Sequence, residues 1–245
     1  MSGENKRAFD PLRFLTRLKR SLRKRALFRK FGQDWNAQTD AFLNRRYESY
    51  DTYLEHQRAK LETHNFGDYD TAFRAALRER LAALDIVWPG RGVLCLGARI
   101  GTEVKAFLDL GCFAVGIDLN PGKENRYVLP GDFHDLQFAP KSIDVVYTNS
   151  LDHAFDIDRI AKEVLKVLKP DGLFLVEAVQ GKDQGVNPGF FESFFWRNID
   201  ELIRVFEGAG FKVSRRTGIT DPWPGEQICF QPTIRASDSP QGAAV

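Results

Sequence analysis

One stretch limits the possible folds more than any other: Val93-Leu94-Cys95-Leu96-Gly97-Ala98-Arg99-Ile100-Gly101-Thr102-Glu103. An apolar run enters a turn marked by two glycines, and a helical pattern follows over 102–110. Such a turn opens a strand-to-helix unit, and its glycines let the backbone approach a ligand at the carboxyl edge of a sheet. The alternation recurs downstream. Strand patterns at 93–96, 113–118, 127–129, 143–149, 173–178, 211–216 and 227–231 are interleaved with helical patterns at 102–110, 156–168 and 198–209. This predicts an α/β domain around a largely parallel sheet covered on both faces. Thr217 to Glu226 is too short a link for a parallel crossover, so the last two strands are expected to form an antiparallel hairpin.

The region before Arg91 reads as helical. Asp10-Pro11 is a start signal and Gly32 a stop, which predicts a helix over 11–31 with Leu15, Leu18, Leu22 and Ala26 on one stripe. A second helical pattern spans 36–64, with inward Gln57, beside His56, as a polar interruption; the pair is read as part of a surface helix by default, the alternative being a helical lid folded over the site. A third starts at Asp70 or Thr71 and carries Phe73, Leu77, Leu81 and Leu84. The expected organisation is a basic amphipathic arm (1–32), a helical extension or cap (33–90), a ligand-binding α/β domain (91–232) and a disordered tail (233–245).

Charge is unevenly spread. Residues 6–30 hold eleven Lys and Arg against one acid, Asp10, whereas the net charge of the whole chain is +2. A strongly basic arm on an acidic body predicts an anionic partner. Its apolar stripe favours an anionic membrane surface over RNA, because insertion at a bilayer uses both faces of the helix. No apolar run reaches the roughly 18 residues of a membrane span, and the polar start is not a secretory signal. The expected location is cytoplasmic, peripheral at the membrane. Cys95, Cys112 and Cys229 are scattered and odd in number, so neither a disulfide framework nor a metal site is expected.

Further signals stand at the ends of successive strands. Phe113-Ala114-Val115-Gly116-Ile117-Asp118 closes on an acid placed to accept bonds from a ribose diol. Gly131-Asp132-Phe133 sets an acid beside an aromatic ring, Asp144 to Asn149 closes the fourth strand, and Leu168-Lys169-Pro170-Asp171-Gly172 precedes the fifth. In order and spacing, residues 91–231 resemble the class I S-adenosylmethionine-dependent methyltransferases, especially the group with the ubiquinone-type methyltransferase domain. The resemblance implies a Rossmann-like seven-stranded sheet of order 3-2-1-4-5-7-6 with strand 7 antiparallel, here carrying an N-terminal helical extension. It also implies that the turn Gly97, Ala98, Arg99 and Gly101 lines the methionine half of the cofactor. Asp118 takes the ribose, Asp132 the adenine amine, Phe133 or Leu119 the ring face, and Asn149 the edge facing the sulfonium. The glycine register argues against NAD, since Arg99 and Thr102 stand where the dinucleotide motif needs glycine.

The chain departs from that pattern twice. Members of the family usually have an acid where Cys95 stands, a partner of the methionine ammonium, and a glycine where Arg99 stands. Arg99 is a candidate for pairing with the cofactor carboxylate. His153, beside Asp152, is the candidate catalytic base for a hydroxyl acceptor, with a weaker claim for His134. Gly181 to Trp196 holds Phe190, Phe191, Phe194, Phe195 and Trp196, read as packing for the next helix or as a lid. The expected function is methyl transfer from S-adenosylmethionine to an oxygen of a saccharide or other small molecule. The alternatives are an RNA methyltransferase using the basic arm and a non-catalytic cofactor-binding scaffold.

Overall fold

The computed structural model describes residues 11–31, 35–37, 41–60 and 67–233. In chain order α1 (Pro11–Phe31), β1 (Trp35–Ala37), β2 (Phe42–Arg45), α2 (Tyr50–Arg58) and α3 (Gly67–Ala82) come first. Then follow β3 (Gly92–Leu96), α4 (Thr102–Leu108), β4 (Phe113–Asp118), β5 (Val128–Pro130), β6 (Ile143–Thr148), α5 (Ile157–Val167) and β7 (Leu168–Val179). The chain continues through β8 (Phe194–Trp196), α6 (Ile199–Ala209), β9 (Phe211–Ile219) and β10 (Gly225–Pro232).

Seven strands form one sheet in the order β5-β4-β3-β6-β7-β10-β9, which is the expected 3-2-1-4-5-7-6. The first five run parallel, whereas β10 is antiparallel to both neighbours, with Ile228 opposite Val176 on one side and Arg216 on the other. Period-two alternation divides the apolar residues between the faces. Leu94, Leu96, Val146, Phe174 and Val176 pack with Ile160, Val164, Leu202 and Phe206 of α5 and α6. Val93, Cys95, Val145, Tyr147 and Leu175 pack with Phe73, Leu77 and Leu81 of α3 and Phe107 of α4. All three cysteines are buried and free.

The helices on the first face begin and end on local signals. Asp156 caps α5 by accepting the Arg159 amide at 2.9 Å, and Asn198 caps α6 by accepting the Glu201 amide at 3.1 Å. Gly210, at φ +109°, ends α6 in the left-handed conformation that favours glycine.

The N-terminal third differs from the sequence reading. Residues 36–64 do not form one helix, and 33–90 is not wholly helical: β1 and β2 pair antiparallel, and β2 pairs with β8 across about 150 residues of chain. Phe42, Leu43 and Asn44 face Trp196, Phe195 and Phe194 in register, and the Phe42 and Phe194 rings meet at a tilt with centroids 5.0 Å apart. The aromatic partners that fix this extended stretch lie too far along the chain to be seen in a local pattern. Helix α2 starts only at Tyr50, where Ser49 Oγ accepts the Thr52 amide. Helix α3 begins before Asp70, whose carboxylate accepts from Thr102 Oγ1 at 2.6 Å and Lys105 Nζ at 2.9 Å, so it ties α3 to α4 instead of capping.

Helix α1 covers 11–31 as expected, and its last turn is joined to the body. Phe31 stacks on His56 at 4.6 Å, its carbonyl accepts from Arg45 Nη1 at 2.7 Å, and Lys30 pairs with Glu55 at 2.7 Å. Leu22 is exposed, as is Ala26. The side chains of Leu15 and Leu18, residues 1–10 and the tail 234–245 lie outside the described set. No helix among the described residues is long and apolar enough to cross a membrane.

Candidate active site

A cavity of about 340 Å³ opens at the carboxyl ends of β3 and β6. One wall comes from the sheet: the turn Gly97 to Ile100, Glu103 and Asn149. The other comes from the cover: Lys60, Glu192, Phe195 and Trp196, with Trp223 at the hairpin. Asp152 and His153 lie between them. Gly97 and Gly101 have φ of +67° and +80°, and a Cβ on either would come within 2.8 Å of Ser150 or 2.7 Å of Tyr127. Glycine is thus required there for both backbone conformation and close packing.

Arg99 also has positive φ, at +36°, and its side chain turns inward with only 15% exposure. Its amide donates to Asp118 Oδ2 at 3.1 Å, and the Asn120 amide donates to Oδ1 at 2.8 Å. These two amides aim the buried Asp118 carboxylate from the end of β4. Leu119 and Phe133 sit beside it around a narrow pocket of about 20 Å³, closed on the far side by Tyr53 and Gln57 of α2.

Asp132 is already engaged. It accepts from the Tyr50 hydroxyl, from the His134 amide at 2.9 Å and from His134 Nδ1 at 2.8 Å. Burial alone would raise its pKa, but these bonds outweigh burial and hold the carboxyl below its usual range. His134 accepts the Phe155 amide at Nε2, so both its ring nitrogens serve the scaffold.

His153 reaches the cavity but has no nitrogen to spare. Nδ1 donates to the Phe191 carbonyl at 2.9 Å, and Nε2 accepts from Lys60 Nζ at 2.6 Å. Burial, then Lys60 and Arg99, push its pKa well below the usual histidine value. It is a neutral imidazole whose lone pair is occupied, which argues against the expected role as base. Lys60 is itself pushed down to about 8, by burial first and Arg99 second.

Asp152 is pushed up to about 7 by burial and by neighbouring Glu192. Asp152 Oδ1 and Glu192 Oε2 are buried without a hydrogen-bond partner. Ligand atoms of Asp152, His153 and Glu192 lie within 4.8 Å of one another, which is close enough to hold a metal ion. The Lys60 ammonium already supplies a cation there. Glu103, 6% exposed, is pushed up to about 7 chiefly by burial.

Hydrogen bonds as well as buried aromatic rings hold the cover. Gln57 Nε2 donates to the Phe191 carbonyl and to Ser193 Oγ, both at 2.8 Å, and the Tyr53 hydroxyl donates to the His153 carbonyl at 2.9 Å. His56 is fully buried between Phe31 and Phe191, so His56 and Gln57 face inward rather than lying on an exposed helix. In the segment Gly181 to Trp196, Phe194 and Trp196 pack in the core, as one of the two readings expects, and Phe195 and Trp196 also line the cavity. The sequence reading named Gly97, Ala98, Arg99, Gly101, Asp118, Leu119, Asp132, Phe133, Asn149 and His153, and the structure gathers them at one sheet edge. It missed Lys60, Glu103 and Glu192. Glu103 had a signal, an acid directly after the glycine turn; Lys60 and Glu192 had none.

Residues 94–176 match the model of a methyltransferase domain family. A Mycolicibacterium smegmatis protein named "Probable S-adenosylmethionine-dependent methyltransferase" is 28% identical over 145 residues, 53% of this chain and 55% of its own. The chain thus spans about half the length of that curated relative. Among solved structures, the Burkholderia thailandensis 1,6-didemethyltoxoflavin-N1-methyltransferase, with bound 1,6-didemethyltoxoflavin and S-adenosylhomocysteine, superposes with TM-score 0.59. It is 15% identical, and the match covers 82% of this chain and 100% of that one. A mitomycin 7-O-methyltransferase gives TM-score 0.56 at 17% identity, covering 74% of this chain and 60% of that one. At these identities the two structures speak for the fold alone. The family match over residues 94–176, the relative in sequence and the 3-2-1-4-5-7-6 sheet agree with one another, and this part of the chain is similar to the class I S-adenosylmethionine-dependent methyltransferase domain.

Proposed function

We propose that the protein transfers the methyl group of S-adenosylmethionine to a hydroxyl of a polyhydroxylated small molecule, a saccharide being the best fit. The observation that carries this reading is the pair of unpartnered buried oxygens, Asp152 Oδ1 and Glu192 Oε2, in a cavity that Phe195, Trp196 and Trp223 also line. Carboxylates that lack partners recruit hydroxyl donors, and aromatic rings suit the apolar face of a sugar.

The cofactor supplies an electrophilic methyl group on a sulfonium. The chain's residues fit it along the sheet edge: Gly97 to Gly101 and Asn149 beside the methionine half, Arg99 for the carboxylate, and Asp118 for the ribose diol. Phe133 or Leu119 serves the ring face. For Asp132 to take the adenine amine, the Tyr50 hydroxyl must release it, and α2 must yield to widen the roughly 20 Å³ pocket. Positioning contributes most of the rate in such an in-line displacement. Asp152 Oδ1 accepts the hydroxyl proton, a task its pKa of about 7 suits, while the nearby Lys60 charge favours the carboxylate form.

Incubation with S-adenosylmethionine and a panel of monosaccharides and glycosides, read by mass spectrometry, tests the acceptor. In Asp152→Asn, turnover is expected to fall by about 10² to 10⁴, with affinity for S-adenosylhomocysteine within a few-fold of the parent. Undiminished turnover would remove Asp152 as the base.

The arm is proposed to meet an anionic bilayer. Exposed Leu22 and Phe28 lie among exposed Arg23, Arg25 and Arg29. Deletion of residues 1–27 retains the docked last turn and is expected to abolish co-sedimentation with phosphatidylserine vesicles. Binding to RNA but not to vesicles would reverse this assignment.

A further inference from the structure

We propose that Glu103 receives the ammonium of the cofactor's methionine end, taking over a task that Cys95 cannot perform. The inference rests on S-adenosylmethionine as the cofactor of the family, and it concerns a residue outside the usual motif position. At that position the chain has Cys95, fully buried among apolar side chains of the sheet face that packs on α3 and α4. Its thiol is pushed well up, first by burial and then by the charge of Glu103, so the two side chains are electrostatic neighbours. The acidic group absent from the end of β3 is therefore present close by, one residue into α4.

Glu103 has the properties of a carboxylate that awaits a cation. It is 6% exposed and lines the cavity together with Gly97 and Asn149. Oε1 accepts from Asn149 Nδ2 at 3.2 Å, whereas Oε2 is buried without a hydrogen-bond partner. An ionised oxygen left unpaired at that depth is costly, so a ligand that supplies a donor gains what the empty site lacks. The methionine end offers three kinds of group. A sulfonium carries charge but no N–H or O–H, and a carboxylate would be repelled. The ammonium alone brings both charge and donors, and a charge-assisted bond is roughly twice as strong as a neutral one. The inward Arg99 borders the same cavity, so cofactor carboxylate and ammonium would meet opposite charges a few residues apart along one turn.

Calorimetry with S-adenosylhomocysteine and with its analogue lacking the α-amino group tests the proposal. Glu103→Gln keeps shape and the Asn149 contact. It is expected to weaken S-adenosylhomocysteine roughly ten- to hundredfold and the deaminated analogue by less than about twofold. Equal losses on both ligands, or no loss on either, would overturn it. A second measurement needs no variant: proton release by the parent near pH 7, from titrations in buffers of different ionisation enthalpy. Glu103 faces Arg99, Asp118, Cys95 and Asn149, and of these contacts only a new ammonium differs between the two ligands. Proton release with S-adenosylhomocysteine but not with the analogue is expected, and identical release with both would overturn the assignment. If the parent binds neither ligand, the cofactor reading fails, and this proposal with it.

Discussion

The two walls of the cavity are built on different principles. The sheet wall, from Gly97 to Glu103 with Asp118 and Asn149, stands on strands whose alternate residues are locked into two apolar cores. The cover wall, α2 with Lys60 and the segment 190–196, joins buried aromatic rings such as Tyr53, Phe191 and Phe194 to a network of hydrogen bonds: Gln57 to Phe191 and Ser193, Tyr50 to Asp132, and Tyr53 to His153. Apolar packing is lost only when a large area is exposed together. Hydrogen bonds can be exchanged one at a time, for water or for ligand groups. The sheet wall is thus suited to stay still and the cover wall to yield, as entry of a nucleoside into the narrow pocket requires.

The largest effect should come from the sheet side. Leu77, fully buried between α3 and the strands, is expected to cost about 2 to 5 kcal/mol when replaced by Ala, seen as a lower denaturant midpoint with unchanged cofactor affinity per folded molecule. A loss below about 1 kcal/mol would remove the contrast between the walls.

Next is a pH effect within that rigid wall. Glu103 has a folded pKa of about 7 against an ordinary value of 4.5. The raised pKa means that its contribution to stability is fully present below 4.5 and is lost as pH rises through 7. Glu103→Gln removes the dependence, so the unfolding free energy of the variant minus that of the parent should grow between pH 5 and pH 8, by roughly 3 kcal/mol at most. A constant difference would mean that the wall relaxes around the charge.

Gln57→Ala should act on the cover. Its loss removes two buried hydrogen bonds, although the Phe191 carbonyl keeps His153 Nδ1 and Ser193 Oγ keeps the Tyr47 hydroxyl, and is expected to cost about 1 to 3 kcal/mol. Hydrogen exchange should accelerate at α2 and 190–196 while β3, β6 and β7 stay protected. Uniform acceleration across the sheet would show that the cover and the sheet open as one unit. The smallest effect is expected at Lys30, exposed and paired with exposed Glu55, where Ala should change stability by no more than about 0.5 kcal/mol.

The same contrast explains what could be read early. β3 was recognisable from Val93 to Leu96, and its turn from Gly97 and Gly101, because local rules of periodicity and backbone conformation act there. Asp118 and Asn149 followed from their places at strand ends. Phe42 to Arg45, within the helix expected over 36–64, is a strand because what makes it extended is Phe194 to Trp196, reached only through folding. His153 looked like a base because an acid–His pair suits proton transfer, yet its lone pair is occupied by Lys60, 93 residues away.

The strand order was what the family resemblance implied, while by itself the sequence determined the alternation of strands and helices, the hairpin that ends the sheet, the glycine turn and the basic helix. Each depends on neighbours within a few residues or on a connection too short for any other path. Tertiary structure alone decided which polar groups share the cavity, which lone pairs are free, and which carboxylates are buried without partners. Those properties depend on burial and on contacts between distant segments, and both arise only when the chain closes on itself.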